Sequence, residues 1–246
     1  MSRAKLYYIP GLVWHITQRC HNRDFLLKFS RDRKRWLYWL FQAKKRYGLC
    51  ILNYIVTSNH IHLLVYANDK RDVIPRSIQL TASRPAREYN IRKKRSGAFW
   101  EDHYHATAVQ TGEYLNQCMV YIDLNMVRAC VVKHPYQWPF SGYHEIFSGR
   151  QRNRLIDKNM LFRLLEAGDI ESFKNAHEER IRNAIIRRDL ARKSQWTESI
   201  AVGSEKFAEE VKGKLGLKVN YRTIKKVNDQ HTLREKGRFY KNANFL

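Results

Sequence analysis

Apolar stretches rich in β-branched and aromatic residues predict four β-strands in the first half of the chain. The segments are VWHITQRC at 13–20, LCILNYIVT at 49–57, HIHLLVY at 60–66 and HATAV at 105–109. The first segment alternates between apolar and polar residues, which is typical of a strand with one buried face. Ser58 and Asn59 are turn formers, so they predict a tight connection between the second and third strands.

Three longer segments have the spacing of amphipathic helices. In the first, apolar residues recur between 36 and 41, with Ser30 as the predicted N-cap and Gly48 as the stop. Pro85 lies inside the second segment, where it predicts a kink or a break. The third segment, EYLNQCMVYIDLNMVRACVV at 113–132, is predicted to form one long helix.

The order of these elements is strand, helix, strand, strand, helix, strand and a final helix. This order matches a split βαβ pattern and predicts an α+β fold, with an antiparallel sheet and helices on one face. The composition changes near SGYHEIFSGRQRNR, so we divide the chain into a domain at 1–150 and an extension at 151–246. The extension is basic, and its segments predict a mainly helical structure.

The chain has a strong excess of positive charge. Its 246 residues carry a formal net charge of +23, while the hydrophobic share of 43% is ordinary for a globular protein. A surface this basic attracts polyanions, mostly nucleic acid or anionic membrane. No apolar run approaches the roughly 20 residues that span a bilayer, and the first residues do not resemble a signal peptide. We therefore expect a nucleic-acid partner, no membrane, a cytoplasmic location and reduced cysteines.

Two histidines open the third strand, in the stretch SNHIHLLVY. Residues two apart on a strand point to the same face and lie roughly 6.6 Å apart along it. His60 and His62 therefore share a face and could bind one divalent ion. By itself, however, an H-x-H pattern is more often simply the polar start of a strand.

A tyrosine and an asparagine lie four residues apart in YIDLN. On a helix, this spacing places Tyr121 and Asn125 on one face, about one turn apart. The asparagine oxygen suits a hard ion such as Mg²⁺ or Mn²⁺, and imidazole tolerates Mn²⁺. The tyrosine could then attack a phosphodiester whose phosphate the metal polarises. Without the histidines, the pair would indicate only a helix face with a half-buried tyrosine.

Four separated motifs resemble those of one enzyme family. They are PGLVWHITQRCHNRDFLL, TSNHIHLLV, GAFWEDHYHATAV and YIDLNMVRACVV, which occur in the family's order within residues 5–150. The chain is similar to the HUH tyrosine transposases, and more closely to the REP-associated tyrosine transposases of the IS200-like branch. This resemblance implies a ferredoxin-like catalytic domain at 1–150. The sequence departs from the family at Met126, where Pro is usual, and at Thr57 and Ser58, where Met and Pro are usual.

The resemblance also implies roles for individual residues. His60, His62 and Asn125 would hold Mg²⁺ or Mn²⁺, and Tyr121 would be the nucleophile that forms a 5′-phosphotyrosine intermediate. Basic and aromatic residues of the same domain are candidate contacts to phosphates and bases, although each could instead be solvated or packed. These residues are Arg19, Arg23, Arg92, Lys93, Lys94, Arg95, Trp100, Tyr104 and Arg128. His15 has no partner in the sequence and is not included in the site.

The sequence thus predicts a metal-dependent endonuclease and strand transferase for single-stranded DNA, with REP-like hairpin DNA as the expected substrate. The alternative is a catalytically silent protein that binds hairpin DNA or has a regulatory role. A third possibility is an RNA-binding or RNA-processing protein. The intact set of two histidines, a tyrosine and an asparagine favours the enzyme. The chain is expected to be a monomer or a homodimer. The sequence leaves two roles open for the extension, which could make additional contacts with DNA or could only cover the catalytic domain with helices.

Overall fold

Strands form where the apolar stretches predict them. The structure is a computed structural model that describes residues 8–148, 154–219, 222–227 and 229–234. The first four strands are β1 (Val13–Arg19), β2 (Cys50–Val56), β3 (His60–Tyr66) and β4 (His105–Val109). They lie side by side in the order β2-β3-β1-β4, and each neighbouring pair is antiparallel. Nearly every residue of β2 and β3 is buried, as expected of strands covered on both faces.

Two long helices, α1 (Ser30–Tyr47) and α2 (Val73–Arg92), pack against each other. They connect β1 to β2 and β3 to β4, which completes the predicted split βαβ order. Gly48 ends α1 with φ +72°, a left-handed conformation that glycine adopts without steric cost. The predicted N-cap was wrong by one residue, because the Phe29 carbonyl already accepts the first helical hydrogen bonds and Ser30 makes no capping bond.

The predicted break at Pro85 does not occur, and α2 runs through this residue. Proline removes the donor that would satisfy the Thr81 carbonyl four residues earlier. The next carbonyl, that of Ala82, accepts a 2.9 Å hydrogen bond from the Trp100 indole. Pro85 itself is buried. The helix thus continues through a buried proline, and the carbonyl next to the interrupted bond has a side-chain donor from outside the helix.

The helix predicted at 113–132 is divided into two. α3 covers Glu113–Asp123, α4 covers Asn125–Arg128, and Leu124 separates them with φ −75° and ψ 2°. The Tyr121 carbonyl, near the end of α3, accepts a 3.2 Å hydrogen bond from the Arg128 side chain. This side-chain donor satisfies a carbonyl at the end of the helix, where backbone partners run out.

The part of the chain beyond residue 153 contributes both helices and strands. A short helix, α5 (Gly142–Phe147), precedes it. The helices are α6 (Lys158–Leu164), α7 (Ile170–Ile186), α8 (Gln195–Glu198) and α9 (Glu205–Leu215). The strands are β5 (Ala201–Gly203), β6 (Thr223–Val227) and β7 (Gln230–Arg234). The extension predicted as mainly helical therefore also supplies three short strands.

These strands continue the sheet of the first domain. β5 pairs in parallel with β4, and β7 and β6 follow as antiparallel neighbours, so the order is β2-β3-β1-β4-β5-β7-β6. The predicted α+β class is confirmed. The predicted boundary at residue 150 lies among residues 149–153, outside the described residues, and stays a prediction. Within the described ranges, no helix is long and apolar enough to cross a membrane.

Candidate active site

β3 presents His60 and His62 on one face of the sheet, as the alternation of a strand requires. In the pairing of β3 with β1, His60 lies opposite Arg19 and His62 lies opposite Thr17. The centroids of the two imidazole rings are 5.1 Å apart, and the ring planes meet at 78°. His62 is only 3% exposed. The two rings are therefore close enough to converge on one ion.

The end of α3 brings Tyr121 against this face. Its ring centroid lies 5.9 Å from that of His62, and the residue is 6% exposed. Asn125, the first residue of α4, places its side-chain Nδ2 3.0 Å from His62 Nε2, and its side chain opposes the lowering of the His60 pKa. The structure thus brings together the four residues predicted as nucleophile and ligands, although the helix is divided at Leu124.

The turn before β3 orients His60. Its Nδ1 lies 2.7 Å from Asn59 Oδ1 and 3.0 Å from Thr57 Oγ1. The Asn59 amide nitrogen donates to the Arg23 carbonyl, so its oxygen faces His60. This oxygen can only accept, so His60 Nδ1 carries the proton and Nε2 keeps its lone pair. A metal-binding imidazole needs this arrangement, in which one nitrogen is hydrogen-bonded and the other is free for the ion.

His15 is a site residue that was not predicted. Its Nε2 lies 2.8 Å from His62 Nδ1, and its Nδ1 lies 2.8 Å from the Trp196 carbonyl. Trp196 belongs to α8, and its ring centroid lies 6.4 Å from that of Tyr121. Strand alternation in VWHITQR places His15 on the same face as Thr17, and this was the available signal. The strand register that sets it beside His62 could not be read from the sequence.

Burial keeps the imidazoles of His15, His60 and His62 neutral. It lowers the pKa of His15 to about 3 and the pKa of His60 to about 3. Burial also holds the pKa of His62 well below its ordinary value, and the neighbouring His15 and His60 act in the same direction. The positive charge of Arg19 further lowers the pKa of His60. The neutral imidazole is the form that binds a metal ion.

Arginine side chains surround Tyr121. Burial raises the pKa of its phenol, and the charges of Arg128, Arg192 and Arg19 oppose this effect. The Arg128 Cζ lies 4.4 Å from the centroid of the Tyr121 ring. Arg128 is held there by hydrogen bonds to the carbonyls of Leu190, at 3.0 Å, and Tyr121. Positive charge is thus arranged beside the phenol, where it would stabilise a phenolate or a phosphate.

The basic run predicted to contact DNA lies at the end of α2. Its members are Arg92, Lys93, Lys94 and Arg95. Arg92 forms an ion pair with Asp32. Arg95 Nη2 donates to the Ala98 carbonyl at 2.8 Å, and the Lys93 ammonium lies 5.6 Å from the Phe29 ring centroid. Three of the four side chains therefore have contacts within the chain, and their binding to DNA stays a prediction.

The predicted aromatic contacts are packed side chains. The Trp100 indole donates to Ala82, and the Tyr104 ring stacks on Tyr8 with a centroid distance of 6.5 Å. Both residues remain partly exposed. Arg23 lies in the turn after β1 with φ +61°, near the Asn59 side chain that holds His60. Stacking of bases on the two aromatic residues likewise stays a prediction.

The donor set fits a divalent ion. Among the described residues, no group of three or more His, Cys, Asp or Glu side chains could hold a metal. The predicted ligands, His60, His62 and Asn125, are not such a group, because the third ligand is a carboxamide. Two neutral imidazoles and the carboxamide of Asn125 offer nitrogen and oxygen atoms that can bind a divalent ion.

Residues 9–125 match the family model described as transposase IS200 like. The matched region contains His60, His62, Tyr121 and Asn125. This part of the chain is therefore similar to the IS200-like transposases.

One solved structure supports the same fold. It is a REP-associated tyrosine transposase bound to a REP hairpin, with a TM-score of 0.51 and 18% sequence identity, covering 64% of this chain and 94% of that chain. A transposase candidate from Deinococcus radiodurans R1 is similar with a TM-score of 0.33 and 19% identity, covering 43% of this chain and 82% of that chain. No curated protein matches the chain.

Proposed function

We propose that the protein is a metal-dependent endonuclease and strand transferase for single-stranded DNA, in which Tyr121 is the nucleophile. The observation that carries this proposal is the meeting of Tyr121 with His60, His62 and Asn125 on one face of the sheet. A buried tyrosine beside two neutral imidazoles and a carboxamide has little structural purpose, whereas the same groups form a nucleophile next to a metal site.

The proposed step joins the tyrosine to the DNA. The Tyr121 phenol oxygen attacks the phosphorus of a phosphodiester, the bond from phosphorus to the 3′ oxygen breaks, and one proton passes overall from the phenol to that oxygen. The products are a 5′-phosphotyrosine and a free 3′-OH. Attack by a 3′-OH on the phosphotyrosine reverses the step and rejoins DNA. Arg128, with Cζ 4.4 Å from the ring centroid, favours loss of the phenol proton.

A metal ion would be held by His60, His62 and Asn125, and we expect Mg²⁺ or Mn²⁺. When bound, such an ion polarises the phosphate and stabilises the charge that develops on it. The residues themselves contribute Nε2 of His60, whose Nδ1 is held by the Asn59 oxygen, Nε2 of His62, and the amide oxygen of Asn125.

We propose REP-like hairpin DNA as the substrate. The net charge of +23 supports a polyanionic partner, and the structurally similar transposase is bound to a REP hairpin. Arg19 lies at the site, opposite His60, and is the best placed of the predicted phosphate contacts. We place the reaction in the cytoplasm, with the chain as a monomer or a homodimer.

A labelled oligonucleotide tests this proposal. Purified protein is incubated with Mn²⁺ and a single-stranded DNA that carries a hairpin, and the products are separated on a denaturing gel. A 3′ label should move with the protein, and a 5′ label should be found on a shorter free strand. Tyr121→Phe should abolish the adduct. Tyr114→Phe is the matched control, because Tyr114 lies in the same helix and packs against the core. An adduct that survives Tyr121→Phe would overturn the assignment.

The same experiment separates the alternatives. A protein that binds the hairpin normally, yet leaves it intact with both Mg²⁺ and Mn²⁺, would be a hairpin-binding or regulatory protein. A matched RNA hairpin decides the third possibility, because cleavage of RNA in preference to DNA would identify an RNA-processing enzyme.

A further inference from the structure

We propose that His15 is a positioning residue that fixes the tautomer and the orientation of His62, and that the Trp196 carbonyl anchors it. The proposal rests on the proposed function only in treating His62 as a metal ligand. Its evidence is a chain of hydrogen bonds that runs from the C-terminal extension through two imidazoles to Asn125. Each bond in this chain sets the direction of the next.

The chain begins at the Trp196 carbonyl, which lies 2.8 Å from His15 Nδ1. A carbonyl oxygen can only accept a hydrogen bond, so His15 Nδ1 must carry a proton. His15 is fully buried, and its partners are a carbonyl and an imidazole rather than a carboxylate. A buried cation without an anionic partner is strongly disfavoured. His15 is therefore neutral, and its Nε2 has a lone pair.

This lone pair points at His62. His15 Nε2 lies 2.8 Å from His62 Nδ1, and the planes of the two rings differ by only 11°. The lone pair of an imidazole lies in the plane of its ring, so nearly parallel planes suit a hydrogen bond between the two nitrogens. The proton of this bond must come from His62 Nδ1. His62 Nε2 then has the lone pair, and it faces the Asn125 amide at 3.0 Å.

His60 and His62 thus have the same tautomer, with the proton on Nδ1, but different side chains accept this proton. An asparagine side chain accepts the Nδ1 proton of His60, while His15 accepts that of His62. Both rings keep Nε2 for a metal. Thr107 Oγ1 donates to the carbonyl of Ser199, three residues after Trp196, at 2.6 Å, so this part of the extension is also held against β4. The extension thereby takes part in the site through its backbone.

The first experiment uses the unmodified protein without metal. Long-range ¹H–¹⁵N NMR spectra of ¹⁵N-histidine-labelled protein report which ring nitrogen carries the proton, and His15→Gln and His62→Gln variants assign the signals. We expect protonated Nδ1 and unprotonated Nε2 in both His15 and His62. A proton on Nε2 of His62 would overturn the proposal. This readout is independent of DNA cleavage, so a protein that formed no adduct would contradict the proposed function and leave this result standing.

The second experiment measures Mn²⁺ binding by electron paramagnetic resonance. His15→Leu removes the acceptor, and loss of such an outer partner weakens metal binding by about 10-fold to 100-fold. His15→Gln keeps an acceptor oxygen and should recover part of the affinity. His103→Leu is the control, because His103 is exposed and should not change the affinity. If His15→Leu bound Mn²⁺ as tightly as the unmodified protein, the proposal would fail. If His15→Leu does not fold, the NMR experiment still decides.

Discussion

A buried hydrogen-bond network ties the C-terminal extension to the helix that carries Tyr121. Asp123 lies two residues after Tyr121, and its carboxylate accepts hydrogen bonds from Asn53 Nδ2 at 2.9 Å and from His177 Nε2 at 2.8 Å. His177 is on α7, so this contact joins the extension to α3. The side chains of His177 and Asp123 are 1% and 0% exposed. His177→Ala would therefore leave a buried carboxylate oxygen without its partner.

The size of the effect follows from this burial. A buried group that loses its hydrogen-bond partner costs about 1–3 kcal/mol, and a buried charge that loses its partner costs about 3–5 kcal/mol, because the remaining group stays desolvated. The Phe173 ring stacks on His177 with a centroid distance of 5.5 Å, so the truncation also leaves a cavity. We expect His177→Ala to lower the free energy of unfolding by at least about 3 kcal/mol, and the melting temperature by on the order of 10 °C.

Urea denaturation followed by circular dichroism measures this change. Glu171→Gln is the matched control on the same helix, because its ion pair with Lys174 is exposed and such pairs contribute at most about 1 kcal/mol. A double-mutant cycle with Asp123→Asn should give a coupling energy above about 1 kcal/mol. A cost for His177→Ala no larger than that of the control, or strictly additive costs in the cycle, would show that this pair does not stabilise the protein.

Two further predictions concern packing and pH. In Gly142→Ala, the new Cβ would overlap Asn53 Oδ1 and lie 3.1 Å from the Tyr54 backbone nitrogen. We therefore expect the free energy of unfolding, measured by urea denaturation, to fall by about 1–3 kcal/mol. Gly213→Ala is the control, because the space around Gly213 is open, and it should be neutral or slightly stabilising. Because burial lowers the pKa of His15 from 6.5 to about 3, only the unfolded chain gains this proton between these pH values, and stability should fall as the pH drops below 6.5. His15→Leu should show a shallower fall, and an unchanged slope would contradict this assignment.

The local pattern was sufficient for much of the fold. Alternation and β-branched content located β1 to β4, and helical spacing located α1. These features depend on residues that are close together in the chain, so they can be recognised in a single sequence. The H-x-H and Y-x-x-x-N spacings also placed each pair of side chains on a common face, because both periods are properties of the backbone.

Other features depend on contacts between distant residues. Pro85 is buried inside α2, next to a carbonyl that accepts a hydrogen bond from Trp100. α3 ends at Asp123, near the point where the Arg128 side chain donates to the Tyr121 carbonyl. β5 has three residues, too few for a clear period, and joins the sheet only because β4 offers an edge. His15 enters the site through the register of β1 with β3, which no local pattern specifies.

The most direct measurement of the central claim is to identify the residue that becomes joined to DNA. The covalent complex formed with Mn²⁺ and hairpin DNA is digested with protease and nuclease, and the remaining nucleotide is located by tandem mass spectrometry. We expect a 5′-phosphate ester on Tyr121 and no other modified tyrosine. A nucleotide attached to another residue, or cleavage without any covalent intermediate, would contradict this claim.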